Sequence, residues 1–330
     1  MPTFNGARFL APQIDSILQQ SESSFELVIV DDGSTDETPA ILLRYAAQDA
    51  RIRLIPSTKN KGQRQRLHQL SQEARSDLIS IADQDDIWHA AKLEKLLAGL
   101  GDADLVFGSS HLIDAEDEPF GYTILDRLPP VPNDGDRLLY LFKPSVSAHA
   151  AIIRRRLLSE RSFFSNFSFD WLQSLDAAFG AGIHYVRDAV TYHRLHGSNQ
   201  QNGKLVGQDA QNFSLTRLWQ HFAESHRLRS TFLQTCGYLA GAPELAGDVR
   251  ARLSKVYGRC HYHWCERPLP VRLNDAGLFA FVLEELAPLA GSPDDLANAR
   301  PFLQMLTTGP LHPMRLQRYA GYGSLAAIPY

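Results

Sequence analysis

Short apolar runs alternate with longer helical patterns over roughly the first hundred residues of the chain. The runs have the length and β-branched content of buried strands. Between them, apolar residues recur at helical spacing from about Ala7 to Gln20 and again from Thr38 to Gln48. This alternation predicts βαβ units, and so an α/β fold with a parallel sheet flanked by helices. The predicted strands are 26–30, 51–55, 78–82, 104–107 and 184–187.

Helical periodicity dominates beyond about residue 203. Segments rich in Pro and Gly near 241–243 and 290–293 interrupt it, and no internal repeat emerges. A chain of 330 residues suits one large α/β domain with an extension. We therefore expect an α/β domain over 1–203 and a helical C-terminal extension over 204–330.

Carboxylates are concentrated where two of the predicted strands end. Asp31-Asp32 follows the strand 26–30, and Asp83-Gln84-Asp85-Asp86 follows the run 78–82. The carboxyl ends of parallel strands meet at one edge of a sheet, where ligands bind and helix N-termini favour phosphates. Carboxylate oxygens suit Mg²⁺ and Mn²⁺, which hold substrate phosphates. The pattern indicates a nucleotide site with a cation, although a helix cap is the alternative for the second cluster.

Five motifs in residues 1–200 together resemble the inverting family 2 glycosyltransferases, which have the GT-A fold. Their order and spacing agree with that family, and the last two are similar to the acceptor-side motifs of rhamnosyltransferase-like members. The resemblance implies a Rossmann-like, mostly parallel sheet, with a nucleotide-binding part at about 1–110 and an acceptor part at about 111–203. The motifs are Pro2-Thr3-Phe4-Asn5-Gly6, Val30-Asp31-Asp32-Gly33-Ser34-Thr35-Asp36, Ala82-Asp83-Gln84-Asp85-Asp86-Ile87-Trp88, Phe169-Asp170-Trp171-Leu172 and Tyr192-His193-Arg194-Leu195-His196-Gly197-Ser198-Asn199.

The resemblance also implies roles for residues of the nucleotide-binding part. Thr3, Phe4 and Asn5 would line the nucleotide pocket, and Asp32 would accept a hydrogen bond from the imide N–H of a pyrimidine. Asp83 would approach the ribose or a water bound to the metal. Core packing is the alternative for Phe4, and a turn-stabilising side chain is the alternative for Asp32.

Four further residues would carry the chemistry. Asp85 would ligate the Mn²⁺ or Mg²⁺ ion that holds the donor diphosphate. Asp170 would be the base that deprotonates the acceptor, because its aromatic neighbours raise a carboxyl pKa by desolvation; a helix N-cap is the alternative. Arg194 and His196 would point the same way from a strand. Arg194 would clamp the phosphates, and His196 would be either a further metal ligand or a structural histidine.

Three features depart from the family pattern. The apolar first strand that usually precedes Pro2 is missing, so we expect either a start upstream of Met1 or another segment in its place. A lost strand would remove buried side chains worth about 1.5–3 kcal/mol each. Ala148 replaces a glycine beside His149 in a turn of the acceptor site. Arg66 stands where asparagine is common, and we favour a solvated side chain over a phosphate contact.

Composition excludes several other classes of protein. With 33 basic and 37 acidic residues and no long basic run, the chain does not indicate a nucleic-acid surface. It has no apolar stretch near the roughly 18 residues that span a bilayer, and its N-terminus is not a signal peptide. We therefore expect a cytoplasmic protein, with peripheral contact at the inner face of the membrane at most. A glycine-rich pyrophosphorylase loop and the Gln-x-x-Arg-Trp motif of processive synthases are absent from the sequence.

The sequence therefore predicts a metal-dependent inverting glycosyltransferase. It would move one sugar from dTDP-rhamnose or a UDP-hexose to a hydroxyl of a bacterial cell-surface glycan intermediate, lipid-linked in our interpretation. The alternative is a member of the fold that has lost turnover and serves as a nucleotide-sugar-binding or scaffold subunit. The intact Asp83, Asp85 and Asp170 favour the enzyme, whereas the missing strand favours the alternative.

Overall fold

The computed structural model describes most of the chain, which divides into two compact units. The first unit comprises Met1–Asp134, Ser145–Ala177 and Ala181–Val206, and the second comprises Gly135–Pro144, Ala178–Gly180 and Gly207–Tyr330. The described residues are 1–57, 59–127, 135–142, 146–163, 168–196, 229–262, 264 and 276–308. The predicted boundary at residues 203 and 204 lies outside the described residues and stays a prediction.

The first unit begins with a parallel three-stranded sheet in the order β1-β2-β3. Its strands are β1 (Pro2–Thr3), β2 (Leu27–Asp31) and β3 (Ile52–Ile55), connected by α1 (Ala7–Leu18) and α2 (Thr38–Gln48). These are the βαβ units that the apolar pattern predicts. The apolar positions of α1 follow helical spacing, so this helix turns one buried face toward the core.

A mixed sheet forms the rest of the first unit. Its order is β4-β8-β6-β9-β5, with β7 paired to β6. Among the described strands of this second sheet, only β6 and β9 run parallel to each other. The expected parallel arrangement thus holds for the first sheet, whereas β8 runs antiparallel between β4 and β6. The elements are α3 (Gln63–Glu73), β4 (Leu78–Ile79), β5 (Ile87–Trp88), α4 (Lys92–Leu100), β6 (Leu105–Ile113), β7 (Pro119–Thr123), β8 (Ala151–Arg154), α5 (Glu160–Phe163), α6 (Phe169–Phe179) and β9 (Ile183–Arg194).

A short first strand is present where the motif pattern predicts none. Pro2 pairs with Val30, and the amine of Met1 continues the ladder by donating to the carbonyl of Val28 at 2.8 Å. Burial lowers the pKa of this amine to about 5. Beyond it, a largely apolar cavity of about 220 Å³ lies between β2 and residues 78–82. Pro2 and Thr3 therefore occupy the position of the first strand beside β2, and a start upstream of Met1 stays a prediction.

The second unit is helical over its described residues, as the periodicity predicts. It contains α7 (described over 229–240), α8 (Gly247–His261), α9 (Ala276–Leu286) and α10 (Pro293–Thr308). The buried carboxylate of Asp295 accepts hydrogen bonds from three backbone N–H groups at 2.9–3.0 Å, which joins α10 to the 135–142 segment. Among the described residues of the whole chain, we find no helix both long and apolar enough to cross a membrane.

Candidate active site

The carboxylate segment 83–86 connects β4 to β5 and is held from both sides. The side chain of Gln13 donates to the carbonyl of Asp83 at 2.7 Å. Gln84 forms a reciprocal pair with the backbone of Phe4, at 2.9 Å to its N–H and 3.2 Å to its carbonyl. The end of β1 and the segment after β4 are therefore in direct contact.

Asp85 and His196 are in direct contact although 111 residues separate them in the chain. The Oδ2 atom of Asp85 lies 2.9 Å from Nε2 of His196, and their side chains keep 18% and 12% of their surface exposed. The ring of Phe9 packs on His196 with centroids 4.8 Å apart. The structure thus brings together the two predicted metal ligands at a position that solvent reaches.

Arg194 meets the same segment, but its guanidinium is turned inward. Its Nε donates to the backbone carbonyl of Asp85 at 2.8 Å, and its Nη1 donates to the carbonyl of Asp114 at 3.1 Å and contacts the carboxylate of Asp117. The residue is 1% exposed. In this arrangement Arg194 fixes the backbone of Asp85, whereas the motif predicts a side chain that faces the diphosphate.

A buried ion pair lies directly beside Asp85. Asp86 accepts from Nδ1 of His193 at 2.9 Å and from the backbone N–H of Arg194 at 3.1 Å. Desolvation disfavours both charges, but the attraction between the two groups prevails. It lowers the pKa of Asp86 to about 2 and raises the pKa of His193 to about 9. At neutral pH the pair is therefore a carboxylate and an imidazolium.

His149 completes this cluster, which sequence reasoning missed. Its ring stacks on His193 with centroids 4.5 Å apart and planes within 9°, and its Nε2 lies 2.9 Å from Oγ of Ser110. Burial lowers its pKa to about 3. Ligand atoms of Asp86, His149 and His193 lie within 4.8 Å of one another. A cation lies near the plane of each imidazole that binds it, and two nearly parallel stacked rings do not share such a position. We therefore interpret the cluster as an ion pair stacked on a neutral ring.

Asp170 occupies the first turn of α6 and is close enough to Asp83 for its charge to raise the pKa of that carboxyl. Burial raises its pKa to about 6, although a hydrogen bond from the backbone N–H of Ala148 acts in the opposite direction. Burial also raises the pKa of Asp83 to about 7, and the charges of Asp86 and Asp85 add to this effect. The predicted base therefore has a pKa close to the range that general-base catalysis needs.

The predicted nucleotide residues differ in exposure. Phe4 is 46% exposed, which argues against its alternative role in the core, whereas Thr3 is 2% exposed and its hydroxyl contacts the carbonyl of Val30 at 3.4 Å. Asn5, at a φ of 47°, accepts at Oδ1 from the backbone N–H of Thr35 at 2.8 Å. Asn5 therefore joins the loops that follow β1 and β2, and Phe4 presents an exposed ring at their edge.

Asp32 and Arg66 form a second buried ion pair. Oδ1 of Asp32 lies 2.6 Å from Nε of Arg66, and the two residues are 4% and 2% exposed. The expectation of a solvated Arg66 is therefore wrong. The spacing of residues in α3 indicates this burial, because Arg66 lies four residues before Leu70, which is buried on the same face of the helix.

Comparisons with known sequences concern the same part of the chain. Residues 1–162 match the model described as Glycosyl transferase family 2. Glycosyltransferase GlyG of Streptococcus pneumoniae is 30% identical over 126 residues, which are 38% of this chain and 42% of GlyG. The Escherichia coli protein WfgD, named UDP-Glc:alpha-D-GlcNAc-diphosphoundecaprenol beta-1,3-glucosyltransferase, is 34% identical over 94 residues, or 28% of this chain and 36% of WfgD. The matched stretch thus spans about two fifths of the length of each relative.

A solved structure extends the comparison to nearly the whole chain. Staphylococcus aureus TarS, crystallised with UDP-GlcNAc, superposes with a TM-score of 0.53 and 15% identity, covering 97% of this chain and 86% of that one. At this identity the likeness shows a common fold. That fold is of the GT-A type that the sequence motifs imply.

Proposed function

We propose that this chain, which belongs to glycosyltransferase family 2 through residues 1–162, transfers a single sugar. The sugar would move from a nucleoside diphosphate donor to a glycan hydroxyl. The observation that carries this proposal is the contact of His196 with Asp85, two residues along from Asp83, whose pKa is raised by burial and also by the nearby charge of Asp170. The donors that we propose are dTDP-rhamnose and UDP-hexoses. The diphosphoundecaprenol-linked acceptor of WfgD supports a lipid-linked acceptor for this chain.

Asp85 and His196 fit a divalent cation by the chemistry of their donor atoms. A carboxylate oxygen and an imidazole nitrogen lie 2.9 Å apart and remain partly exposed. A nitrogen ligand favours Mn²⁺ over Mg²⁺. When bound, the cation would supply Lewis-acid stabilisation of the charge on the leaving diphosphate. We assign Arg194 to the support of this site, in which its Nε holds the backbone of Asp85.

Asp170 is the base in this proposal. It would take the proton from the acceptor hydroxyl as that oxygen bonds to the anomeric carbon from the face opposite the diphosphate. The bond from the anomeric carbon to the diphosphate oxygen breaks in the same displacement, so the configuration inverts. With a pKa of about 6, Asp170 is ionised at pH 7 and still basic enough to accept a proton.

The nucleoside would lie at the edge formed by the loops after β1 and β2. The exposed ring of Phe4 offers a stacking surface, and Asn5 keeps the two loops together. The buried Thr3 would support the loop that follows β1, and Asp83 would approach the ribose. Because the proposed acceptor is lipid-linked, we place the reaction at the inner face of the membrane, with the enzyme as a peripheral protein.

A transfer assay tests this function. The protein is incubated with Mn²⁺, a panel of UDP-, dTDP- and GDP-sugars, and undecaprenyl-diphosphate-linked monosaccharides, and glycosylated lipid is detected by mass spectrometry. We expect one donor to give product with wild type and with Asp102→Ala, an exposed control, and little product with Asp85→Ala. Binding of donor without product across the panel would instead support the scaffold alternative.

A further inference from the structure

Lys92 is completely buried beside the candidate site, at the first residue of α4. Its Nζ lies 3.5 Å from the centre of the Trp88 ring and donates to the backbone carbonyl of His149 at 2.5 Å. Thr191 pairs with Trp88 between β9 and β5, and its hydroxyl donates to the same carbonyl at 3.3 Å. Two side chains from separate elements therefore fix the carbonyl of His149.

This carbonyl belongs to the turn at 148–150, which also contacts the proposed base. A backbone hydrogen bond of 2.9 Å closes the turn, and the N–H of Ala148 donates to the carboxylate of Asp170. Peptide bonds are planar, so only the backbone torsions of Ala148 and His149 separate this N–H from the carbonyl that Lys92 holds. A carbonyl that changes its orientation therefore changes the direction of the N–H.

The contact between Lys92 and the turn does not depend on the charge of the lysine. Burial lowers the pKa of Lys92 well below its usual range, although the charges of Asp86 and Asp83 act in the opposite direction. An ammonium and a neutral amine both carry N–H donors. Lys92 can therefore donate to the carbonyl of His149 in either state.

The hydrogen bond from Ala148 matters for the ionisation of Asp170. Burial disfavours the carboxylate, whereas this hydrogen bond and the charges of His193 and Arg64 favour it. The hydrogen bond is the largest of the contributions that favour the ionised form. Asp83 is the acidic group that faces Asp170, since the charge of Asp170 acts on it.

We infer that Lys92 is a positioning residue for the transfer reaction, because it holds the turn at 148–150 so that the N–H of Ala148 stays directed at the Asp170 carboxylate. The inference rests on the proposed function, in which Asp170 is the base. Lys92 acts through the backbone of the turn. Without it, a smaller fraction of Asp170 is ionised near neutral pH.

Titration of the Asp170 carboxyl group tests this inference. The aspartate carboxyl carbons are labelled with ¹³C, and the Asp170 signal is identified by its loss from the NMR spectrum of Asp170→Asn. Lys92→Met keeps the length of the side chain and removes its N–H donors. We expect the acid dissociation constant of Asp170 to fall by about tenfold in Lys92→Met. It should not change in the control Lys95→Met, which alters a partly exposed lysine of the same helix.

Thr191→Val removes the second donor to the His149 carbonyl without changing any charge. It separates the effect of the turn from a direct effect of charge, and it covers the case in which Lys92→Met does not fold. We expect the acid dissociation constant of Asp170 to fall in the same direction, by about threefold.

Transfer kinetics give a second measurement. The ratio of kcat/KM at pH 8 to kcat/KM at pH 6 should be about two in wild type and about ten in Lys92→Met, with the donor that the transfer assay identifies. A merely structural role would lower kcat/KM by the same factor at both pH values.

The outcomes separate the inference from the proposed function. A folded Lys92→Met or Thr191→Val protein in which Asp170 titrates as in wild type would overturn the inference and leave the proposed function in place. A wild type in which Asp170 titrates as expected, but which transfers no sugar from any donor of the panel, would overturn the proposed function and with it the role of Lys92 in transfer.

Discussion

Replacement of His193 by glutamine tests the electrostatics of the buried pair beside Asp85. Glutamine retains an N–H donor but removes the positive charge that faces Asp86, which is fully buried. The native protein holds the imidazole proton up to a pKa of about 9, whereas the unfolded chain releases it near 6.5. The free energy that corresponds to this difference is about 3 kcal/mol.

The sign of the effect follows from the raised pKa. The contribution of His193 is fully present below pH 6.5 and is lost as the pH rises through 9. The buried amine of Met1 acts in the opposite direction, since its pKa falls from 8.0 to about 5 and stability rises with pH between these values. The two effects oppose each other in wild type, so the quantity to measure is the difference between wild type and variant.

Urea unfolding at pH 6 and pH 9.5, followed by circular dichroism, gives this difference. We expect His193→Gln to lower the free energy of unfolding by about 3 kcal/mol more at pH 6 than at pH 9.5. His184→Gln is the control, because His184 lies on the same strand and its Nδ1 contacts the carbonyl of Gly99 at 2.9 Å rather than a carboxylate. A destabilisation by His193→Gln that is equal at both pH values would refute the reasoning.

Two further predictions concern the base and the second unit. Asp170→Asn should slow transfer by about 10²–10⁴-fold without changing donor affinity. The kcat/KM of wild type should rise about tenfold from pH 5 to pH 7, because the pKa of Asp170 is about 6. A kcat/KM that does not change with pH in steady-state kinetics would contradict this role. Asp295→Ala leaves three backbone N–H groups without their acceptor, so urea unfolding should show a loss of about 3 kcal/mol. The neighbouring Asp294→Ala is exposed and should change stability little, and equal losses in the two variants would count against the explanation.

The first sheet is predictable because its signals are local. β2 is an apolar run, β3 is apolar apart from Arg53, and α1 and α2 have an apolar face at helical spacing. β1 is the exception, because Pro2 and Thr3 carry no such signal. The mixed sheet depends on pairing between distant segments, which no local pattern records. For this reason β8, which contains only four residues, is absent from the predicted strands, and its antiparallel course is visible only in the structure.

The candidate site shows the same division. The order of the motifs predicts that Asp85 and His196 belong to one metal site although 111 residues separate them, and in the structure the two side chains are in contact. The stack of His149 on His193 depends on where β9 passes the turn at 148–150, and no sequence pattern indicates it. The burial of Arg66, in contrast, could have been predicted, because its helical spacing from Leu70 places both residues on one face of α3. Only the low frequency of buried arginine in proteins favours an exposed side chain at this position.

Metal-dependent nucleotide binding tests the central claim most directly. UDP and dTDP are titrated by calorimetry into wild type, Asp85→Ala and the exposed control Asp102→Ala, with and without Mn²⁺. The account predicts that Mn²⁺ strengthens binding of at least one nucleotide to wild type and to the control, and that Asp85→Ala loses this dependence. Binding that does not respond to Mn²⁺, or that keeps its response in Asp85→Ala, would contradict a metal site at Asp85 and His196.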